Sequence, residues 1–202
     1  MTIFKIYRAF KALFVTALSV VAMTLGASAV HAQQKIVPAH SDVAFVSKQL
    51  GVPIEGHFKK FDAQLSINTA KPEASSVRLH IDMASATLGV PETDAELPKA
   101  NWFNTAKFAQ ASFESSSVKN LGGGKWEVAG KLNIKGNTRD VVVPVALSQS
   151  GSGAQLLTLA QGQLTIKRLA FKIGENEWAD TSMVADDVLV KFKLTLSGVG
   201  KL

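Results

Sequence analysis

No cysteine occurs in the 202 residues. Disulfide staples, thiol nucleophiles and lipid attachment through cysteine are therefore excluded, and stability must come from packing and backbone pairing. Histidine is scarce as well. Beyond residue 32 only His40, His57 and His80 remain, at spacings that put no two on one metal, and His80 falls on the polar face of its strand. Ser41-Asp42 and the other serines lack the Gly-x-Ser-x-Gly elbow of a strand-to-helix nucleophile. Glu175, Glu177 and Asp180 around Trp178 are the nearest approach to a glycosidase carboxylate pair beside a sugar platform, and they read better as a solvated acidic loop. No catalytic constellation is left, so the chain reads as a non-enzyme with no cofactor to hold.

Charge is missing from one stretch in particular. Lys5, Arg8 and Lys11 precede an uncharged run from Ala12 to Val30, and Val30-His31-Ala32 supplies small residues at cleavage positions. This is the pattern of a cleaved signal peptide over residues 1–32, with the mature chain starting near Gln33. Ala27-Ser28-Ala29 offers a second cleavage site. The competing reading is an uncleaved anchor, which Thr16, Ser19, Thr24, Gly26 and Ser28 weaken. The leader holds three of the 22 basic residues and none of the 16 acidic ones, so the remainder carries +3 rather than +6. The pI of 9.6 thus overstates the case for nucleic-acid binding. Aromatics also lie on the apolar strand faces with lysines opposite, not interleaved as an oligonucleotide-binding barrel requires. The 170 residues after Ala32 suffice for one domain with a sizeable core.

What is abundant is alternation. Trp126, Val128, Leu132 and Ile134 alternate with Glu127, Lys131 and Asn133, and an apolar run from Val141 to Leu147 follows a turn signal at 135–138. With Gly136-Asn137 as the turn, Trp126 faces Leu147, Val128 faces Val145, Gly130 faces Val143 and Leu132 faces Val141. All large apolar side chains then share one face, and a one-residue slip would reverse them. Pro144 suggests a bulge or an unpaired position, and Gly130 leaves a gap for strand curvature or for something approaching closely.

Further strands are expected at Ser41–Lys48, apolar on both faces, and at Ile54–Asn68, where Phe61, Ala63, Leu65 and Ile67 share a face while Phe58 is out of step. A bulge near Lys59-Lys60 would reconcile them. Val77, Leu79 and Ile81 alternate cleanly with Arg78, His80 and Asp82. Strands follow at Ala111-Phe113-Ser115, at Leu156–Arg168, where Leu164 and Ile166 align, and at the close, where Val188, Val190, Phe192, Leu194 and Leu196 alternate with Leu189, Lys191, Lys193 and Thr195. Between Gly89 and Lys107 the period of two vanishes. There Thr93 is expected to cap a short helix through Leu97, stopped by Pro98. Leu97, Trp102, Phe103 and Phe108 would fold that insert over a sheet opening as a lid. The whole is all-β: about eight long strands, forming an antiparallel barrel or sandwich, with strand length favouring a β-barrel. A barrel of eight strands is about the size that holds one small ligand.

PAHSDVAFVSKQLGVPIEGHFKKFDAQL, WFNTAKFAQASFESSSV, WEVAGKLNIKGNTRDVVVPV, LTIKRLAFKIG and the closing DDVLVKFKLTL together resemble, in order and spacing, the YceI-like family of periplasmic polyisoprenoid-binding proteins. The likeness covers nearly all of residues 35–198. It implies an elongated, lipocalin-like antiparallel barrel over residues 33–202, in the periplasm, whose apolar interior holds a long isoprenoid of quinone or polyprenyl type for transport, storage or sequestration. Two departures, a proline absent near Ala109 and AELPKANWF in place of an Arg-Asp-His-Leu-like run, fall in the insert.

Combining alternation with that resemblance, the lipid-lining residues are expected to be Phe45, Phe61, Leu65, Val77, Leu79, Phe103, Phe108, Phe113, Trp126, Val128, Gly130, Leu132, Val143, Val145, Leu164, Val190 and Phe192. Lys59, Lys60, Lys99, Asn101, Trp102 and Trp178 are candidates for head-group contact at the mouth. Each isoprene unit buried from water would contribute roughly 3–4 kcal/mol at about 0.8 kcal/mol per methylene. Against a bilayer, where the tail is already dry, that gain nearly vanishes, and selectivity must come from shape or head group. Expected partners are an isoprenoid lipid, a membrane met transiently and, as an open question, a second copy in a homodimer; nucleic acid is not among them. Periodicity cannot separate a hollow barrel from a filled one, so an exported interaction module with a filled core stands as the alternative.

Overall fold

Alternating sequence becomes alternating strand throughout the computed structural model, which describes residues 33–202. The leader expected over residues 1–32, with its expected cleavage site, lies outside the described residues. The strands are β1 (Lys35–Ile36), β2 (Asp42–Gln49), β3 (Val52–Phe58), β4 (Phe61–Ser66), β5 (Ser76–Asp82), β6 (Ala86–Thr87), β7 (Gln110–Gly122), β8 (Lys125–Ile134), β9 (Asn137–Ser150), β10 (Leu157–Lys167) and β11 (Asp187–Ser197). All belong to one antiparallel sheet in the order β4-β5-β7-β8-β9-β10-β11-β2-β3-β6, with β1 beside β2 on the edge of β11.

These eleven segments make eight strands, because three neighbouring strands are each interrupted once. β1 and β2 are parted by residues 37–41, β3 and β4 by Lys59-Lys60, and β5 and β6 by Met83–Ser85. Two of the interruptions are stitched together: the Lys60 amide donates to Ser85 Oγ at 3.0 Å and the Asp82 amide to the Lys60 carbonyl at 3.0 Å. Since β3 runs into β4 and β5 into β6, the two ends of the sheet order belong to one broken hairpin, with β4 on β5 and β3 on β6. The sheet thereby returns on itself as an antiparallel barrel. At the β1 end the Gln34 amide joins the seam, accepting from the Ile67 amide at 2.6 Å and donating to its carbonyl at 2.9 Å. The bulge expected at Lys59-Lys60 is thus a full break, and it lets Phe58 and Phe61 both turn inward despite their odd spacing.

The β8–β9 hairpin departs from the expected register by two residues. Its turn is Lys135-Gly136, both at positive φ (50° and 73°), the requirement of a two-residue turn matching strand twist. Trp126 therefore faces Val145, Val128 faces Val143, Gly130 faces Val141 and Leu132 faces Arg139. A shift of two keeps every side chain on its face, so the apolar pattern could not distinguish the registers. Polar pairs do: the observed register joins Lys131 to Asp140 at 2.9 Å and Asn133 to Thr138 at 2.7 Å. Pro144 needs no bulge. It pairs with Glu127, and on its other side the β9–β10 ladder stops at Val145, so its missing N–H breaks nothing.

The insert begins with a one-turn helix, α1 (Pro91–Asp94), with proline at its first position and no side-chain cap at Val90. Thr93 lies inside this turn and does not cap it, and Leu97 lies beyond it. The anchor is Asp94 instead, whose carboxylate accepts from the Thr87 hydroxyl and the Leu88 amide, both at 2.5 Å. The apolar inner faces of the strands form a large buried cluster, which includes Leu97 and Phe103 from the insert, and a smaller one of Val118, Trp126 and Val128, with Val145 and Leu147 packed against both.

Candidate functional site

The inner face encloses a cavity of about 330 Å³. Every strand from β2 to β11 except the two-residue β6 contributes to its wall. Fourteen of the seventeen candidate residues stand on it. Phe45 comes from β2, Leu65 from β4, Val77 and Leu79 from β5, Phe113 from β7, and Trp126, Val128 and Leu132 from β8. Val143 and Val145 come from β9, Leu164 from β10, Val190 and Phe192 from β11, and Phe103 from the insert.

Three candidates are elsewhere. Phe61 sits beside the β3–β4 break, where it borders a shallow polar cleft with His57, Lys59 and Lys60. Phe108 lies under the β8–β9 turn, so close that a Cβ on Gly136 would come within 2.8 Å of its ring, and it braces that turn. Gly130 is not open to the cavity: a Cβ there would meet the Phe113 ring at 2.7 Å and the Glu114 carbonyl at 2.4 Å. What approaches Gly130 is the protein's own neighbouring strand.

The lining is nearly all hydrocarbon. Its polar members are Ser47, Gln49, Thr93, Glu96, Thr158 and Arg168. Among the lining residues only Gln49 and Thr93 are exposed, so the lumen opens between the β2–β3 tip and the insert. Of the residues proposed for the mouth, Trp102 and Trp178 do line the lumen and pack together at 5.5 Å between ring centres. Asn101 is structural, accepting from the Gly174 and Glu175 amides and tying the insert to the following loop. Lys59, Lys60 and Lys99 are exposed and stand off the wall.

Two buried cations hold this end together, and neither was among the candidates. Lys135 donates to the carbonyls of Ala100 and Lys172 at 2.8 and 2.6 Å and to Glu175 at 2.9 Å. Arg168, 1% exposed, spends all five N–H groups on carbonyls of residues 173–185: Ala185, Ile173, Gly174, Trp178 and Val184. Burial pushes its pKa down, with Asp186 opposing. The sequence does carry a signal for it, since Arg168 continues the inward series Leu164, Ile166.

A family model of the YceI-like domain matches residues 34–196. The chain belongs to the YceI-like family. Among curated relatives, a UPF0312 protein of Azotobacter vinelandii is 34% identical over 131 residues, 63% of this chain and 68% of that one. One from Ectopseudomonas mendocina is 37% identical over 105 residues, 52% of this chain and 55% of its own length. The crystal structure of Burkholderia cenocepacia BcnA superposes with a TM-score of 0.74 at 43% identity, covering 79% of this chain and 98% of that one. A polyisoprenoid-binding domain from Saccharophagus degradans, implicated in plant cell wall breakdown, shares the fold at a TM-score of 0.63 and 17% identity, covering 83% and 99%.

In this YceI-like barrel the lumen offers water exclusion and shape, and little that could activate a bond. Glu96 at the mouth bonds Lys99, and Arg168 has no N–H to spare.

Proposed function

We propose that this protein is a non-enzymatic carrier that holds an isoprenoid lipid in its lumen and works, after export, in the periplasm. The observation that supports this most is the hollow itself: a barrel wall of apolar side chains with polar groups gathered chiefly at one end. The family and the polyisoprenoid-binding neighbour support the choice of guest. A cavity of about 150 Å³ takes one benzene ring, so 330 Å³ suits about twelve carbons, or two to three isoprene units. A longer chain would run out through the mouth or spread the Phe45–Phe58–Phe103 series, whose ring centres are 5.2 and 6.2 Å apart. Around the mouth Leu50 and Val52 are 71% and 61% exposed, and Leu50 donates its amide to the Met183 carbonyl. This apolar tip suits brief contact with a membrane during transfer.

The chain's three tryptophans, at positions 102, 126 and 178, all line the lumen. Titration with farnesol should therefore shift their emission and saturate at one guest per chain. Native mass spectrometry of protein purified from its own cells should show a retained isoprenoid mass. An apo mass together with an unresponsive emission spectrum would sink the carrier reading.

A further inference from the structure

If a bilayer already keeps an isoprenoid dry, a carrier selects its guest by the shape of the lumen, and one glycine controls that shape more than its neighbours do. Gly56 on β3 pairs directly with Phe45 on β2. A Cβ built on Gly56 would lie 2.3 Å from Phe45 Cζ, 2.7 Å from its Cε1 and 2.9 Å from Leu88 Cδ2. All three nearest atoms belong to side chains, and both residues line the lumen. Gly130 and Gly162 also have a ring against them, Phe113 and Phe192 each at 2.7 Å, but there the nearest atom is a carbonyl oxygen of the adjoining strand, at 2.4 and 2.3 Å, so a side chain would displace backbone before it moved the ring. At Gly56 the missing Cβ is occupied by the far end of an aromatic ring. The ring packs beside Phe58, 5.2 Å between centres and tilted 45° to it. Restoring the Cβ takes the ring's seat, and the remaining free space is the lumen.

We propose that Gly56, by seating Phe45 against the wall, sets the bore of the lumen and makes it wide enough for a methyl-branched chain. The proposal rests on the carrier reading and adds its specificity determinant. Branching is the relevant property, because an isoprenoid carries a methyl on every fourth main-chain carbon and an acyl chain carries none.

The test uses the full-length mature protein and three probes followed by tryptophan emission: farnesol, its unbranched counterpart of equal main-chain length dodecanol, and retinol, whose methylated ring is wider than either chain. Gly56→Ala should weaken farnesol by about tenfold or more, the effect of one misplaced methylene-sized group in an apolar pocket, and dodecanol by less than about threefold. Phe45→Leu added to Gly56→Ala should bring farnesol back to within about threefold of the wild type, because the smaller side chain clears the new methyl. Phe45→Leu alone should gain at least about fivefold for retinol, a gain that misfolding cannot imitate. Equal losses for farnesol and dodecanol in a folded Gly56→Ala protein, failure of the double variant to recover, or no gain for retinol would each overturn the bore proposal while leaving the carrier reading intact. A wild type that binds none of the three probes would overturn both.

Discussion

Arg168 is a charge taken out of water without a carboxylate bonded to it, and it is held because five carbonyls of one loop converge on its guanidinium. The segment from Ile173 to Ala185 touches a strand at the Val184–Gln49 bridge, and none of these five carbonyls takes a ladder bond there, so the arginine satisfies them instead. Arg168→Met keeps the volume and removes the donors. It should cost roughly 3 kcal/mol or more, since each buried carbonyl left unpaired costs about 1–3 kcal/mol and only some can be rehydrated. A urea midpoint checks the loss, and a red shift of emission in a background where Trp102 and Trp126 are replaced by Phe, leaving Trp178, locates it. Arg168→Lys, with fewer donors and no fork, should recover only part. Gly130→Ala makes a contrast with Gly56→Ala: with a carbonyl 2.4 Å from the new Cβ, it should destabilise by about 1–3 kcal/mol through overpacking and strand displacement. The gap at Gly130 was visible in sequence as a break in an apolar face. That the gap is filled from β7 was not, because Phe113 reaches it diagonally across a ladder whose own bulge lies between Ser115 and Ser117.

The insert and the 174–186 loop flank the mouth, and each is braced by an aspartate. Hydrogen bonds from the Thr87 hydroxyl and the Leu88 amide hold the Asp94 carboxyl below its usual pKa of 3.8, and those from the Ser182 hydroxyl and amide do the same for Asp180. A carboxylate whose native pKa is depressed lends stability above its unfolded pKa and loses it as pH falls through the native value. Both braces are therefore complete at neutral pH and weaken below about pH 4. As pH falls toward 3, protection against hydrogen exchange, taken relative to the intrinsic amide rate at each pH, should be lost in residues 88–98 and 178–184 before it is lost in β8 to β11. Asp94→Asn should flatten the response of the first segment without touching the second. The strands themselves were legible, since period two fixes which side chains face inward even when the partner is misjudged by two residues. The turn was misplaced because Gly136-Asn137 and Lys135-Gly136 both look permissive. What selects the latter is Lys135, a residue at φ 50° whose ammonium is bound by the insert and the 172–175 loop, a contact between segments far apart in sequence. The three aligned interruptions in β1–β6 left only a parity mismatch at Phe58 as their trace.

Whether the barrel is hollow was the one property that alternation could not decide, because a filled core and an open lumen require the same inward residues. The difference lies in where rings rest. Phe45, Phe113 and Phe192 lie against Gly56, Gly130 and Gly162 on neighbouring strands and so run along the wall, leaving the axis vacant. A vacant axis has a length and a volume, and both make a measurable demand on any guest. In a series of straight-chain alcohols, each added methylene should tighten binding about fourfold while it enters the lumen, corresponding to about 0.8 kcal/mol of burial. The increments should collapse once the space is full. If about 150 Å³ accommodates a benzene ring, then 330 Å³ places the break near twelve carbons. A saturating alcohol of that length, at a hundred times its dissociation constant, should add about 2.7 kcal/mol of stability and raise the unfolding midpoint by about 5–10 °C. A series that climbs without a break to twice that length would mean the lumen expands around its guest. One that never climbs would mean the wall closes on itself in solution.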